Sequence, residues 1–197
     1  AKRIGAVNTL IVRADRTIEG RNTDAFGFLA NLQASAAAWS PPAGPAVVLG
    51  AGGAARAVLV ALIDSGVPEI RLLNRTADRA TRLATELGGP VRVQPWGSWS
   101  SALKDATLLV NTTSLGMAGQ APLAIDLEAL PRSAVVNDIV YVPLQTDLLA
   151  KARQRGHRVV DGLGMLLHQA RPAFEAWFGI DPEVTPALRA AVAADLI

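Results

Sequence analysis

The sequence predicts an α/β fold in which a doubly wound parallel sheet is covered by helices on both faces. Short, wholly apolar segments, such as Ala46–Leu49 and Ile70–Leu73, alternate with longer helical patterns, such as residues 54–64. Strands buried on both faces have this continuous apolar character. The same reasoning predicts strands at 91–93, 107–110, 134–137 and 158–160, and helices at 76–87 and 146–155.

The composition is that of a packed globular protein. Half of the 197 residues are hydrophobic, 18% are charged, and the absence of cysteine excludes disulfides and thiolate metal sites. The net charge of +2 comes without a dense basic run, which argues against nucleic-acid binding. His157 and His168 have no partner at metal-ligand spacing, so no metal is expected. Without a signal peptide or an apolar stretch of roughly 20 residues, we expect a cytoplasmic protein with no membrane segment.

Residues 1–40, ahead of the alternating region, have a different pattern. Residues 4–12 predict a strand, residues 17–20 a short partner strand, and residues 25–38 a helix. Asn22, Thr23 and Asp24 are residue types that favour the N-cap of such a helix. The cluster of proline and glycine at 40–45 then marks the best candidate boundary.

The turn after the first buried strand fits a dinucleotide-binding pattern. Its residues, which match G-x-G-x-x-A, are Gly50, Ala51, Gly52, Gly53, Ala54 and Ala55. The first glycine permits the tight turn, the second lets the backbone approach a pyrophosphate, and the final alanine keeps the helix close to the sheet. The helix N-terminus adds free N–H groups and a partial positive charge. We therefore predict a Rossmann-type nucleotide site; the alternative is a glycine turn that binds nothing.

The end of the second buried strand indicates which dinucleotide binds. NAD enzymes usually place Asp or Glu there to bind the ribose 2′-hydroxyl. This chain has Asn74, Arg75 and Thr76, with Arg79 one turn later. Because a guanidinium pairs with a 2′-phosphate and stacks on adenine, we expect NADP. The alternative is that Arg75 and Arg79 are solvated charges on a helix and Thr76 is a simple N-cap.

Seven sequence blocks, read together and in order, resemble the shikimate dehydrogenase family. They extend from Gly5 to about Gly179, and their combination is far more specific than any one of them. The blocks are Gly5-Ala6-Val7-Asn8-Thr9, Gly20-Arg21-Asn22-Thr23-Asp24, Gly50-Ala51-Gly52-Gly53-Ala54, Asn74-Arg75-Thr76, Asn111-Thr112-Thr113-Ser114-Leu115-Gly116-Met117, Asp138-Ile139-Val140-Tyr141, and Asp161-Gly162-Leu163-Gly164-Met165-Leu166 with Gln169.

The resemblance implies an NADP-dependent, reversible reduction of 3-dehydroshikimate to shikimate in aromatic amino-acid biosynthesis. It further implies that Asn8, Asp24 and Gln169 bind substrate hydroxyls, that Asp24 belongs to the catalytic pair, and that Tyr141 also contacts the substrate. It places the glycine turn and residues 74–79 against the cofactor. The residues that it implies near the nicotinamide are Ile139, Gly162 and Met165.

General chemistry leaves simpler interpretations open for the four polar residues. Short polar side chains suit a polyhydroxylated small molecule. However, Asn8 could simply stabilise a turn, and Asp24 could simply cap a helix. Tyr141 could be an ordinary core residue, and Gln169 a solvated residue on a helix surface.

The chain also departs from the family pattern. By the resemblance, a substrate domain of roughly 80 to 90 residues, more than an ordinary loop, precedes the first block. That domain supplies a Ser-x-Ser clamp and a lysine that works with Asp24. Lys2, Lys104 and Lys151 do not match that lysine. We therefore expect a fragment without the catalytic lysine, with little shikimate oxidation by itself.

On this interpretation the chain has three parts. Residues 1–40 are a remnant of an N-terminal substrate-binding domain, residues 41–162 are an NADP-binding Rossmann domain, and residues 163–197 are C-terminal helices that pack back towards the substrate domain. Three alternatives stay open: a natural short form, a non-catalytic NADP-binding or regulatory module, and an NAD-dependent quinate/shikimate dehydrogenase. We also leave open whether the protein is a homodimer.

Overall fold

The computed structural model describes residues 1–196 and confirms the α/β class. Most predicted strands and helices are found within one or two residues of their expected bounds. The strands are β1 (Thr9–Val12), β2 (Ile18–Arg21), β3 (Ala46–Leu49), β4 (Ile70–Leu73), β5 (Val91–Gln94), β6 (Leu108–Asn111), β7 (Val135–Asp138) and β8 (Arg158–Val160). The helices are α1 (Asp24–Ser35), α2 (Gly53–Asp64), α3 (Ala77–Leu87), α4 (Trp99–Ala102), α5 (Asp147–Gln154), α6 (Gly162–Phe178) and α7 (Pro186–Ala194).

The main sheet contains six parallel strands in the order β5-β4-β3-β6-β7-β8. This is the strand order of a dinucleotide-binding Rossmann fold, whose direction of winding reverses between β3 and β6. Leu49 at the end of β3 pairs with Leu73 on one side and Asn111 on the other. Ligands of such sheets bind beyond the carboxyl ends of the strands at the point of reversal.

Two apolar layers cover this sheet, one on each face. Val48 and Leu72 pack on the face covered by α1, α2, α3 and α6. Val47, Leu49 and Leu109 pack on the opposite face, against α4, α5 and residues 123–130. Because neighbouring strand residues point to opposite faces, wholly apolar strands are what this arrangement requires. The doubly wound sheet predicted from the sequence is therefore confirmed.

The predicted strand at 4–12 is shorter in the structure. Residues 1–5 form a turn instead, closed by the Gly5 N–H, which donates to the Ala1 carbonyl at 2.8 Å. Ile4 is buried against Ala57 and Val60 of α2, so its apolar character reflects this contact and not membership of a sheet. Only Thr9–Val12 pairs, antiparallel, with β2. The short helix α4 was not predicted.

The β1–β2 hairpin lies apart from the main sheet and exposes apolar side chains. Leu10, Val12 and Ile18 are all more than half exposed. Trp177, near the end of α6, donates its indole N–H to the Leu10 carbonyl at 2.9 Å and so ties the hairpin to that helix. Within residues 1–196, no helix is both long enough and apolar enough to cross a membrane.

Candidate functional site

The glycine turn lies where β3 and β6 end side by side. Gly50 has a φ of +106°, and its N–H donates to the Leu73 carbonyl at 2.8 Å. A Cβ at this position would lie 2.7 Å from the Thr112 hydroxyl oxygen, which itself donates to the Leu49 carbonyl at 2.6 Å. Both the left-handed backbone and the close approach therefore require glycine here.

Helix α2 begins directly after this turn and leaves room in front of its first residues. Gly52 is the N-cap and Gly53 the first helical residue, and both are exposed. A Cβ at either position would meet nothing within 4 Å. The first N–H groups of a helix have no partner inside the helix, and they carry a partial positive charge. The open space and the donors fit a pyrophosphate group.

The segment after β4 keeps its cationic side chains free. Asn74 closes the turn by donating its side-chain N–H to the Thr76 carbonyl at 2.8 Å. Thr76 occupies the N-cap position of α3, yet its hydroxyl accepts no hydrogen bond from the helix. Arg75 and Arg79 are exposed, and within residues 1–196 neither makes an ion pair or a side-chain hydrogen bond. The strand end itself, residues 74–76, has no carboxylate, and Asp78 in the first turn of α3 is the one acidic residue between the two arginines. The cationic strand end suits a phosphate.

A cavity of about 160 Å³ adjoins the glycine turn. It brings together side chains from α1, α2, α6 and the loop after β7. Three of the four polar residues predicted to bind substrate line it, as do the three residues predicted near the nicotinamide. The lining residues are Asp24, Ala54, Ile139, Tyr141, Gly162, Met165, Leu166 and Gln169.

Asn8, the fourth predicted substrate ligand, lines a neighbouring hollow of about 310 Å³ that shares Leu166 and Gln169 with the first. Its side-chain N–H donates to Asp24 Oδ1 at 2.8 Å and to the Thr23 hydroxyl at 3.1 Å. Its carbonyl oxygen accepts from the Thr23 backbone N–H at 3.0 Å. Asn8 therefore holds the start of α1 and one oxygen of Asp24, a role that sequence reasoning missed.

Glycines allow the two helices of the cavity to approach closely. A Cβ on Gly27 of α1 would lie 2.6 Å from the Gln169 Cβ, and one on Gly164 of α6 would lie 1.8 Å from Asn31 Oδ1. At the start of α6, a Cβ on Gly162 would lie 2.1 Å from the Ile139 carbonyl oxygen. Backbone packing of this kind fixes α6 against both α1 and the loop after β7.

A buried polar network that was not predicted from the sequence supports that loop. The Asp138 carboxylate accepts hydrogen bonds from the Asn111 amide at 2.9 Å, the Thr146 hydroxyl at 2.7 Å and the Val140 N–H at 3.1 Å. Burial raises the pKa of Asp138 to about 6. The sequence does hold a signal for this network: Asn111 and Asp138 are polar residues that end two buried strands. Because the carboxyl ends of neighbouring parallel strands lie at one edge of the sheet, these side chains can meet there.

The three lysines lie away from the cavity. Lys2 and Lys104 are exposed, and Lys151 lines a separate hollow with Asp126. Within residues 1–196, no group of three or more histidine, aspartate or glutamate side chains is placed to hold a metal ion.

Two family models match the chain. Residues 42–119 match the model described as shikimate / quinate 5-dehydrogenase, and residues 162–192 match the shikimate 5'-dehydrogenase C-terminal domain. The shikimate dehydrogenase (NADP(+)) of Paramagnetospirillum magneticum is 64% identical over 192 residues, which are 98% of this chain and 70% of that protein.

Two solved structures show the same fold. Shikimate 5-dehydrogenase of Thermus thermophilus, in complex with NADP(H) and shikimate, is 39% identical with a TM-score of 0.83, and the match covers 100% of this chain and 70% of that one. Quinate dehydrogenase of Corynebacterium glutamicum, in complex with NAD, is 31% identical with a TM-score of 0.90, and the match covers 98% of this chain and 70% of that one.

Proposed function

The chain belongs to the shikimate dehydrogenase family, and on that premise we propose that it is an oxidoreductase that catalyses the NADP-dependent, reversible reduction of 3-dehydroshikimate to shikimate. The observation that carries this proposal is the shared cavity. In it, Ala54 from the glycine turn lies with the polar side chains of Asp24, Tyr141 and Gln169. This cavity of about 160 Å³ and the neighbouring hollow of about 310 Å³ share Leu166 and Gln169, and together they give room for a nicotinamide ring beside a polyhydroxylated substrate.

We assign cofactor binding to three groups of residues. The glycine turn, Gly50 to Ala54, and the N-terminus of α2 hold the pyrophosphate. Arg75 and Arg79, with Asn74 and Thr76, receive the adenosine 2′-phosphate. Ile139, Gly162 and Met165 flank the nicotinamide, which, when bound, donates or accepts the hydride.

We assign substrate binding to the polar side of the cavity. Because Asn8 occupies Asp24 Oδ1, the second carboxylate oxygen of Asp24 is available to accept a hydrogen bond from the reacting hydroxyl. Within residues 1–196, neither the Tyr141 hydroxyl nor the Gln169 amide has a side-chain hydrogen bond, so both are available to other substrate oxygens. In the reduction, the carbonyl carbon gains the hydride and its oxygen gains a proton, which reaches it from solvent through Asp24. Since no lysine lines the cavity, we expect slow turnover by these 197 residues.

The organisation and setting of the enzyme complete the proposal. Residues 41–162 form the cofactor-binding domain, while residues 1–40 and 163–196 form the substrate side of the cavity; Ile197 lies outside the described residues. We expect a cytoplasmic enzyme for a small-molecule substrate. The exposed apolar hairpin residues Leu10, Val12 and Ile18 offer a surface on which a homodimer could form, and light scattering would measure this.

The alternative that uses NAD and quinate is favoured by one finding, the likeness to quinate dehydrogenase in complex with NAD. The segment after β4 argues against it, because Asn74, Arg75 and Thr76 offer cationic and neutral groups where NAD enzymes usually have a carboxylate.

The test is to measure binding and turnover separately. We expect the chain to bind NADP more tightly than NAD, to bind shikimate more tightly than quinate, and to reduce NADP when both ligands are present. Asp24→Asn should lower turnover by about 100-fold, as for loss of acid–base assistance, without changing NADP affinity. Binding of NADP with no binding of shikimate would instead support a cofactor-binding module.

A further inference from the structure

The C-terminal helix α7 contacts the start of α6 through an ion pair. The Arg189 guanidinium donates to Asp161 Oδ2 at 2.6 Å. Asp161 is the N-cap of α6, and its other carboxylate oxygen accepts from the Leu163 N–H at 3.1 Å. The Asp161 side chain therefore caps α6 and also forms the ion pair with α7.

Helix α1 also reaches Asp161. The buried Asn31 side chain of α1 donates to the Asp161 backbone carbonyl at 2.8 Å. Asn31 in turn lies where a Cβ on Gly164 would be, so α1 and α6 have no free space between them at this level. Three helices are thus fixed to each other at the residue that immediately precedes Gly162.

Gly162 contacts the loop after β7, which lines the cavity. Its N–H donates to the Val140 carbonyl at 3.2 Å, and its Cα lies so close to the Ile139 carbonyl that no side chain fits between them. Gly162 and Ile139 both line the cavity. A displacement of the α6 N-terminus would therefore alter the side of the cavity assigned to the nicotinamide.

We propose that Arg189 is a positioning residue: by holding Asp161 it fixes the nicotinamide end of the cofactor site, which it does not itself touch. The inference rests on the proposed function, because it requires a dinucleotide in this cavity. Arginine suits the role, since its planar guanidinium constrains a carboxylate more strongly than a lysine ammonium does. Helix α7 has its own N-cap bond, from the Leu188 N–H to Thr185 at 3.1 Å, and should survive substitution of Arg189.

The experiment compares two ligands on the 197-residue chain by calorimetric titration. NADP occupies the whole site, whereas adenosine 2′,5′-bisphosphate occupies only the end assigned to Arg75 and lacks the nicotinamide. Arg189→Met should weaken NADP binding by about three- to tenfold, the range expected for a partly exposed charged hydrogen bond, and leave adenosine 2′,5′-bisphosphate binding unchanged. Arg189→Lys should restore part of the NADP affinity.

The matched control is Arg171→Met. It removes another arginine–aspartate ion pair, with two hydrogen bonds to Asp181 at 2.9 and 2.6 Å, and a stacking contact with Phe26, from the later part of α6. This variant should bind both ligands as the wild type does.

Three outcomes would contradict the proposal. Equal weakening of both ligands in Arg189→Met would show damage to the fold and overturn the inference. Unchanged NADP binding in Arg189→Met would overturn this inference but not the proposed function. Failure of the wild-type chain to bind NADP would overturn the proposed function and this inference with it.

Discussion

The pyrophosphate–adenosine end of the cofactor site and the cavity where nicotinamide and substrate meet are built differently. At the pyrophosphate–adenosine end, Gly52, Gly53 and Arg75 face open space and have few contacts with the rest of the protein. In the cavity, Gly162 and Asp24 are held by backbone packing or by hydrogen bonds to other segments. A strand, a turn and a helix are enough to form the pyrophosphate–adenosine end, whereas the cavity requires distant parts of the chain to meet. Substitutions should therefore affect mainly ligand binding at the pyrophosphate–adenosine end and mainly folding in the cavity.

The largest effect on stability is expected for Gly162→Ala. The added Cβ would lie 2.1 Å from the Ile139 carbonyl oxygen and 2.7 Å from that of Val140, and backbone atoms cannot move aside as a flexible side chain does. We expect a loss of about 3 kcal/mol or more in the free energy of unfolding, the upper range for overpacking. Urea denaturation measures it.

Gly53→Ala is the matched control for that substitution. Its Cβ would meet nothing, and alanine favours a helix over glycine by roughly 0.5 to 1 kcal/mol, so the free energy of unfolding should stay the same or rise. NADP affinity should fall, because the methyl group occupies the space in front of α2. A stability loss in Gly53→Ala similar to that in Gly162→Ala would refute the contrast between the pyrophosphate–adenosine end and the cavity.

This contrast also explains what could be predicted from the sequence. Gly50 and Gly52 were identified because their spacing encodes a local strand–turn–helix geometry. The meeting of Asp24 with Gln169 followed only from the family resemblance, since no local pattern encodes the packing of α1 on α6 through Gly27 and Gly164. The bonds from Asn8 to Asp24 were missed because they depend on how the β1–β2 hairpin docks.

The second effect concerns pH and the buried carboxyl of Asp138. Its pKa of about 6 lies above the ordinary value of 3.8, so the native state binds this proton more tightly than the unfolded chain does. The free energy of unfolding should therefore fall as the pH rises from about 4 to about 6, by about 3 kcal/mol from this group. Above about pH 6 the loss is complete.

Asp138→Asn isolates this contribution. The amide keeps acceptor and donor atoms for Asn111, Val140 and Thr146 but carries no charge. The difference in unfolding free energy between wild type and variant should change with pH between about 4 and about 6 and be constant above it. If the two curves stay parallel across that range, Asp138 does not titrate as inferred.

A smaller effect, confined to binding, is expected for Arg75→Ala. Loss of a charge-assisted bond to the 2′-phosphate should cost about 1.5 to 3 kcal/mol of NADP affinity and leave NAD affinity and stability unchanged. Arg82→Ala, an exposed arginine further along α3, is the control. An equal loss of NADP and NAD affinity in Arg75→Ala, or an equal loss of NADP affinity in Arg75→Ala and Arg82→Ala, would indicate a general effect of charge and not a bond to the 2′-phosphate.

The smallest effect compares two threonines at helix N-caps. Thr185 accepts the Leu188 N–H, so Thr185→Ala should cost about 1 kcal/mol of stability. Thr76 caps no N–H of α3, so Thr76→Ala should change the free energy of unfolding by less than about 0.5 kcal/mol without ligand. With NADP present, the gain in melting temperature should be smaller in Thr76→Ala than in the wild type, because the hydroxyl is then used by the phosphate. Equal costs for the two variants without ligand would show that Thr76 stabilises the fold, and the adenosine end of the cofactor site would then resemble the cavity.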